Sequence, residues 1–219
     1  MMPEKVKIAP SILAADLSNI GTEIEKLSAA KADLIHLDVM DGHYVPNLTF
    51  GAPLIKQIAR LTNLPLDVHL MVLNPADYLE ELAEIGVSYI SYHPETVYHN
   101  HRLIHQIKKK GIKAGWAINP GVSENILKPV INDLDFVLLM SVNPGFSGQK
   151  FIPSVYNKIR NVRAMTADNP QFEIEVDGGV NDQNAPELVN TGADILVAGA
   201  FVFNTNDYSL TIGRLRNVR

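Results

Sequence analysis

Residues 33–40 read DLIHLDVM, an apolar run into which His36 and Asp38 are set two positions apart. Side chains on a strand alternate between its faces, so these two point the same way. The motif has companions: DVHLMV (67–72) carries His69 and EIEVDGG (173–179) carries Asp177, each at or near the end of an apolar, β-branched run. Two imidazoles and two carboxylates at strand ends can converge on one divalent metal. Imidazole nitrogen and carboxylate oxygen suit zinc, manganese, iron(II) or cobalt better than a thiolate-seeking ion. Taken alone, any one of the four fits an ordinary buried polar group with a backbone partner. Their recurrence at strand ends favours a shared site.

Outward from this stretch, eight short apolar runs alternate with helical periodicity: VKIAPSIL (6–13), DLIHLDVM (33–40), PLDVHLMV (65–72), YISYH (89–93), KAGWAIN (113–119), DFVLLMSV (135–142), FEIEVDG (172–178) and DILVAGA (194–200). Between them, Ile20, Ile24 and Leu27, and Tyr78, Leu79, Leu82 and Ile85, recur at three and four spacing, as helices packed on a sheet require. The strands recur at about the βαβ repeat length. Eight such units without a long insertion predict a parallel (β/α)8 TIM barrel, a single α/β domain over residues 1–219, closed by a last helix from Tyr208 to Val218. Lys108 to Lys110 and Glu80-Glu81 are expected on solvated helix faces. Active sites of this architecture lie at the C-terminal strand ends, where Ser11, Asp38, His69, Asn143 and Asp177 fall.

The 219 residues, 46% apolar and 20% charged, fit one domain with a sizeable core. A formal charge of -5 disfavours a phosphate-backbone-binding surface, so no nucleic-acid partner is expected. The absence of cysteine excludes disulfides and thiolate metal sites. MMPEKVKIAPSIL lacks the apolar core and cleavage pattern of a signal peptide, and no run approaches the ~18 apolar residues of a membrane span. A soluble, cytoplasmic protein without a membrane partner is expected. The helix faces leave a homo-oligomer open.

Met40, Met71 and Met140 fall at the ends of three strands; packing explains them, although thioethers lining a substrate face would also exclude water. VNPGFSGQKFIP (142–153) follows the sixth strand and precedes a helix expected to start at Pro153 and Ser154. Gly145 and Gly148 let the backbone approach a ligand that Phe146 could cover, and the length suits a lid better than a plain turn. Gly178-Gly179 and Gly199-Ala200 stand where this fold often builds a phosphate site from backbone N–H groups, and Lys150 is the one basic residue in these loops. Asp67 and Glu175 share the inward parity of His69 and Asp177 one layer deeper, either orienting ligands or serving structure. His93 is a candidate polar group of the pocket, His43, His99, His101 and His105 belong to loops or surface, and Trp116 belongs to the barrel wall.

The segments IAPSILAAD, HLDVMDGHYVPNLTFG, DVHLMV, NPGFSGQKFIP and VDGGV, in this order and spacing, resemble the ribulose-phosphate 3-epimerase family over nearly the whole chain. The resemblance implies an isomerase built on a ribulose-phosphate-binding barrel and working in the pentose phosphate pathway of carbohydrate metabolism. It implies metal binding by His36, Asp38, His69 and Asp177, with zinc the first choice and iron(II), manganese or cobalt the alternatives. Asp38 and Asp177 would also be the catalytic acid and base. Ser11, His69, Met40, Met71 and Met140 would contact the phosphosugar, and Gly145, Phe146, Ser147, Gly148, Gly178, Gly179, Gly199 and Ala200 would surround its phosphate. Ala200 departs from the family's usual AGS, which removes a hydroxyl there. The implied reaction converts D-ribulose 5-phosphate to D-xylulose 5-phosphate through a cis-enediolate, with two carboxylates working on opposite faces of carbon 3 and no organic cofactor. A hexulose 6-phosphate such as D-allulose 6-phosphate is the alternative substrate, and a non-catalytic phosphosugar-binding barrel is a further reading. Related decarboxylases use an Asp-x-Lys-x-x-Asp array, and here Met40 takes the lysine's place.

Overall fold

The computed structural model describes residues 5–217. Eight parallel strands form one sheet: β1 (Lys7–Pro10), β2 (Ile35–Met40), β3 (Leu66–Met71), β4 (Tyr89–Tyr92), β5 (Lys113–Ile118), β6 (Phe136–Met140), β7 (Glu173–Asp177) and β8 (Ile195–Ala198). The ladder runs β1-β8-β7-β6-β5-β4-β3-β2. A parallel bridge between Ser11 and His36 and bonds from the Asp33 and Leu34 N–H groups to the Ile8 carbonyl bring the two end strands together. The result is the expected (β/α)8 TIM barrel.

Helices α1 (Ile20–Ala29), α2 (Ala52–Ala59), α3 (Leu79–Ile85), α4 (Asn100–Lys109), α5 (Val155–Met165), α6 (Ala185–Thr191), α7 (Ala200–Phe203) and α8 (Tyr208–Arg216) surround the sheet. Their apolar stripes, such as Leu103, Ile104 and Ile107 of α4, pack on the outward residues of the strands to form the principal core. Inside the barrel, Leu34, Tyr89, Phe136 and Ile195 make an apolar layer below the polar residues of the mouth, joined by Ala9 and by Val197, which reaches the mouth.

Several elements differ from the sequence reading. The first strand stops at Pro10, because Ser11 caps a 3-10 turn over Ile12–Ala14 through its side-chain oxygen. The helix after β6 starts at Val155 rather than Pro153. The connection from β5 to β6 contains a 3-10 turn, Glu124–Leu127, in place of an α-helix. Pro129 has no N–H to extend an α-helical ladder there. The last helix ends at Arg216, and Val218 lies outside the described residues. Lys108 also departs from a plain solvated face: it donates to the Asp133 carbonyl at 2.8 Å and pairs with Asp135 at 2.9 Å. Lys110 pairs with Glu80.

Gly115 faces the barrel interior, and a Cβ there would stand 2.5 Å from the Phe136 ring. Gly115→Ala should therefore cost about 1–3 kcal/mol through overpacking, read as a lower urea midpoint. An unchanged midpoint would show that Phe136 turns aside freely.

Candidate active site

The β2–β3 ladder sets Asp38 opposite His69 and His36 opposite Asp67. Asp38 Oδ1 lies 3.2 Å from His69 Nδ1 and 3.5 Å from His36 Nε2, while its Oδ2 accepts a hydrogen bond from Ser11 Oγ at 2.6 Å. Thr49 donates to the Asp38 carbonyl at 2.7 Å and accepts from the Met40 N–H, tying the β2–α2 connection to the strand end. His36 Nδ1 donates to Asp67 Oδ2 at 2.5 Å. That contact directs Nε2 toward the mouth, where it is buried without a hydrogen-bond partner among the described residues. His69 Nε2 lies 3.0 Å from His93 Nε2, and Tyr44 stacks on the His93 ring at 4.5 Å between centroids. Tyr44 donates to Glu95, and Asn119 donates to both Tyr44 Oη and Glu95, so this brace reaches from β3 to β5.

Burial opposes a charge on His36, yet the carboxylates of Asp67 and Asp38 outweigh it and hold the imidazole well above its ordinary range. Burial likewise resists ionisation of Asp38, but His36 and His69 on its oxygens hold it below the ordinary carboxylate range. Asp177, on β7 across the mouth, is pushed up to about 7 by burial and by the charge of Asp38. Glu175, one layer deeper, is raised by burial and by Asp67, and both its oxygens lack hydrogen-bond partners among the described residues. Burial and the neighbouring His69 push His93 down to about 2. His36, Asp38, His69 and Asp177 offer ligand atoms that all lie within 4.8 Å of one another. This negative, desolvated pocket favours a cation, and the orphaned His36 Nε2 fits a role as a metal ligand.

Above these groups lies a cleft that opens to solvent. Ser11, Asp38, Met40, Met71, Met140, Asp177, Gly145 to Gly148, Gly178, Gly179, Gly199 and Ala200 all border it. His36 and His69 are fully buried beneath its floor. The sequence reading passed over several neighbours: Leu13, Val142, Gln149 and Phe201 line the cleft, and Ser141 braces the loops by donating to the Asp177 and Gly178 carbonyls. Nothing in their residue types marks them out, and the fold alone brings them there.

The loops are fitted to one another. A Cβ on Gly178, whose φ is +119°, would stand 2.5 Å from Val142, and one on Gly179 would stand 3.0 Å from the backbone of Gln149 and Phe151. Gln149 donates to the Asn143 and Phe146 carbonyls, and Asn47 donates to the Gly145 carbonyl, pinning the loop after β6 to the loop after β2. Phe146 remains 55% exposed at the rim. Ser147 Oγ lies 3.7 Å from where a Gly199 Cβ would be, so a hydroxyl faces the turn that carries Ala200.

A parallel eight-stranded barrel whose C-terminal strand ends gather opposed, perturbed carboxylates defines the chain as a (β/α)8-barrel enzyme. The model of the Ribulose-phosphate 3 epimerase family matches residues 7–203. The chain belongs to the ribulose-phosphate 3-epimerase family, whose members are isomerases. The ribulose-phosphate 3-epimerase of Bacillus subtilis is 46% identical over 213 residues, covering 96% of this chain and 98% of its own. That of Escherichia coli is 46% identical over 214 residues, covering 96% and 94%. Among solved structures, a variant tryptophan synthase alpha-subunit from Pyrococcus furiosus superposes with a TM-score of 0.72 at 17% identity, covering 98% of each chain. A thiamine phosphate pyrophosphorylase from the same organism gives 0.66 at 15% identity, covering 97% of this chain and 95% of its own. These two share the fold.

Asp177 also predicts a pH effect on the protein in the absence of metal. Its raised folded pKa means that the native state binds more protons, so its contribution to stability falls as pH rises from about 4 to about 7, by at most about 1.4 kcal/mol per pH unit. Asp177→Asn should gain stability relative to the parent over that window, measured by urea unfolding in chelator at several pH values. A parent–variant difference independent of pH would remove the assignment.

Proposed function

We propose that residues 1–219 act as one catalytic barrel interconverting D-ribulose 5-phosphate and D-xylulose 5-phosphate by epimerisation at carbon 3, as a soluble cytoplasmic enzyme of the pentose phosphate pathway. The observation that carries this reading is the pair Asp38 and Asp177. Two carboxylates stand on strands across one cleft, with their proton affinities pushed apart in opposite directions.

His36, Asp38, His69 and Asp177 would hold one divalent ion, zinc first and iron(II), manganese or cobalt otherwise. When bound, it supplies Lewis-acid stabilisation of the negative charge that develops beside carbon 3. Every other step belongs to the chain's own groups. One aspartate takes the carbon-3 proton on one face, leaving an enediolate; the other aspartate returns a proton to the opposite face. Such a reaction needs one carboxylate ionised and one protonated at the start of each turnover, which suits two groups of unlike pKa. Ser11 fixes the Asp38 carboxylate by its hydrogen bond, and His93 fixes the His69 ring. Asp67 orients His36.

Met40, Met71 and Met140 line the cleft beside the aspartates and keep water from the enediolate. The backbone of Gly178, Gly179, Gly199 and Ala200 would hold the phosphate, with the Ser147 hydroxyl standing in for the one Ala200 lacks. Phe146, at the tip of the loop after β6, covers the bound substrate.

The test is exchange of the carbon-3 hydrogen with deuterated solvent, followed from each epimer at saturating metal with occupancy measured. Asp38→Asn and Asp177→Asn should each lower net epimerisation by several orders of magnitude and retain any residual exchange from opposite epimers. Equal residual exchange from both epimers would mean that a single base serves both faces. Phe146→Ala should lose turnover while its thermal unfolding is unchanged; unaltered kinetics would reduce the segment to a turn. With D-allulose 6-phosphate in the same assay, slower turnover is expected.

A further inference from the structure

Outside the barrel mouth, His101 and His105 lie one turn apart on α4, and Asp133 faces them from the connection between β5 and β6. Their Nε2 atoms are 3.1 Å apart, with the rings edge to face at 4.3 Å between centroids. Asp133 Oδ2 is 3.8 Å from His101 Nε2 and Oδ1 is 3.7 Å from His105 Nε2. We propose that His101, His105 and Asp133 form a second metal site, for a divalent transition ion of the zinc type, which clasps the β5–β6 connection to α4.

The geometry is that of a ligand set. An ion about 2.0–2.1 Å from each imidazole nitrogen holds the two nitrogens roughly 2.9 Å apart in an octahedral arrangement and roughly 3.4 Å apart in a tetrahedral one. The observed 3.1 Å falls between these two spacings. The carboxylate oxygens lie beyond hydrogen-bonding distance of either ring, and rotation of the Asp133 side chain closes the gap. Asp133 is free to turn, since among the described residues its carboxylate enters no hydrogen bond, while its backbone is fixed by Lys108 at 2.8 Å. Lys108 directs its charge to Asp135 instead of the Asp133 carboxylate. Two imidazoles and one carboxylate favour zinc, nickel, cobalt or copper over magnesium or calcium. The three side chains are solvent-accessible, leaving water to complete the shell.

A clasp here has something to hold. The β5–β6 connection has a 3-10 turn where the other crossovers have α-helices. Its first half is anchored by Lys158, whose ammonium donates to the carbonyls of Asn119, Pro120 and Val122 at 2.7, 2.8 and 2.6 Å. Asn119 in turn belongs to the brace that reaches His93. The far half, around Asp133, leans on α4, and a metal bridge would tie it down.

The experiment uses the full-length, tag-free protein, dialysed against buffered free Zn2+ and assayed by elemental analysis. The doubly substituted variant His101→Gln with His105→Gln, both at exposed positions, should bind one zinc per chain fewer than the parent and keep its epimerase turnover. Asp133→Asn should weaken the same equivalent by about 10-fold or more. In hydrogen exchange, Zn2+ should slow residues 119–135 of the parent and leave those of the double variant unchanged. Because the comparison is a difference of one equivalent, it is independent of metal at the mouth, where a double variant with no zinc at all would count against the barrel-mouth reading instead. Equal zinc content in parent and double variant would overturn the proposed site, and a zinc loss without a change in exchange would overturn the clasp.

Discussion

The parallel register of β2 on β3 is the constraint on which the rest of the site depends. It sets Asp38 beside His69 and His36 beside Asp67, and a slip of β2 by one residue would turn His36 and Asp38 out of the barrel. On the other side of β2, the bridge from Ser11 to His36 brings the Ser11 hydroxyl onto Asp38. Ionisable groups at the centre of a protein are costly unless each has a partner, and this register supplies the partners. The same pairing leaves His36 Nε2 without a hydrogen-bond partner among the described residues and aimed at the mouth, where a cation can satisfy it.

The interior is layered along the barrel axis. At the bottom, Lys7 and Lys113 close on Glu173 and Tyr89; above them lies an apolar layer; above that come Asp67, Glu175 and His36, then the mouth residues. The apolar layer separates the lower ion pairs from the upper ones, so the acidic groups at the mouth interact chiefly with one another and with the histidines. Desolvation and mutual repulsion raise Glu175 and Asp177, while the histidines lower Asp38. Unlike proton affinities in two like groups thus follow from position: Asp38 has imidazoles on its oxygens, and Asp177 stands across the cleft from them.

The loops convert this polar floor into a cleft. Gly178 and Gly179 lie against Val142 and the Gln149–Phe151 backbone with no space for a side chain, so the loops after β6 and β7 must move together. The positive φ of both residues is open to glycine and strained for others. On the opposite wall, Tyr44, Glu95, Asn119 and His93 make a continuous hydrogen-bonded and stacked support behind His69. Asn119 begins the β5–β6 connection, and Lys158 clamps that connection from α5, so the support behind the imidazole extends to the outside of the barrel.

Periodicity within the sequence was enough for the barrel, because strand alternation and helical spacing are local properties of the chain. It also placed His36 and Asp38 on one face, since two residues apart on a strand leaves no other choice. The short motifs around Ser11, Asp38, His69 and Asp177 carried the family resemblance that the matching relatives then bore out. The ordinary spacing of the fifth crossover hid its lack of an α-helix, for which Pro129 is the local sign and the Lys158 anchor the tertiary one. Local pattern could not show the support behind His69, whose members, Tyr44, Glu95, His93 and Asn119, come from three different connections. The proximity of Asp133 to His101 and His105 was equally hidden, as it joins residues far apart in the chain. Such contacts are decided by how neighbouring βα units pack side by side, a tertiary matter that no single segment encodes.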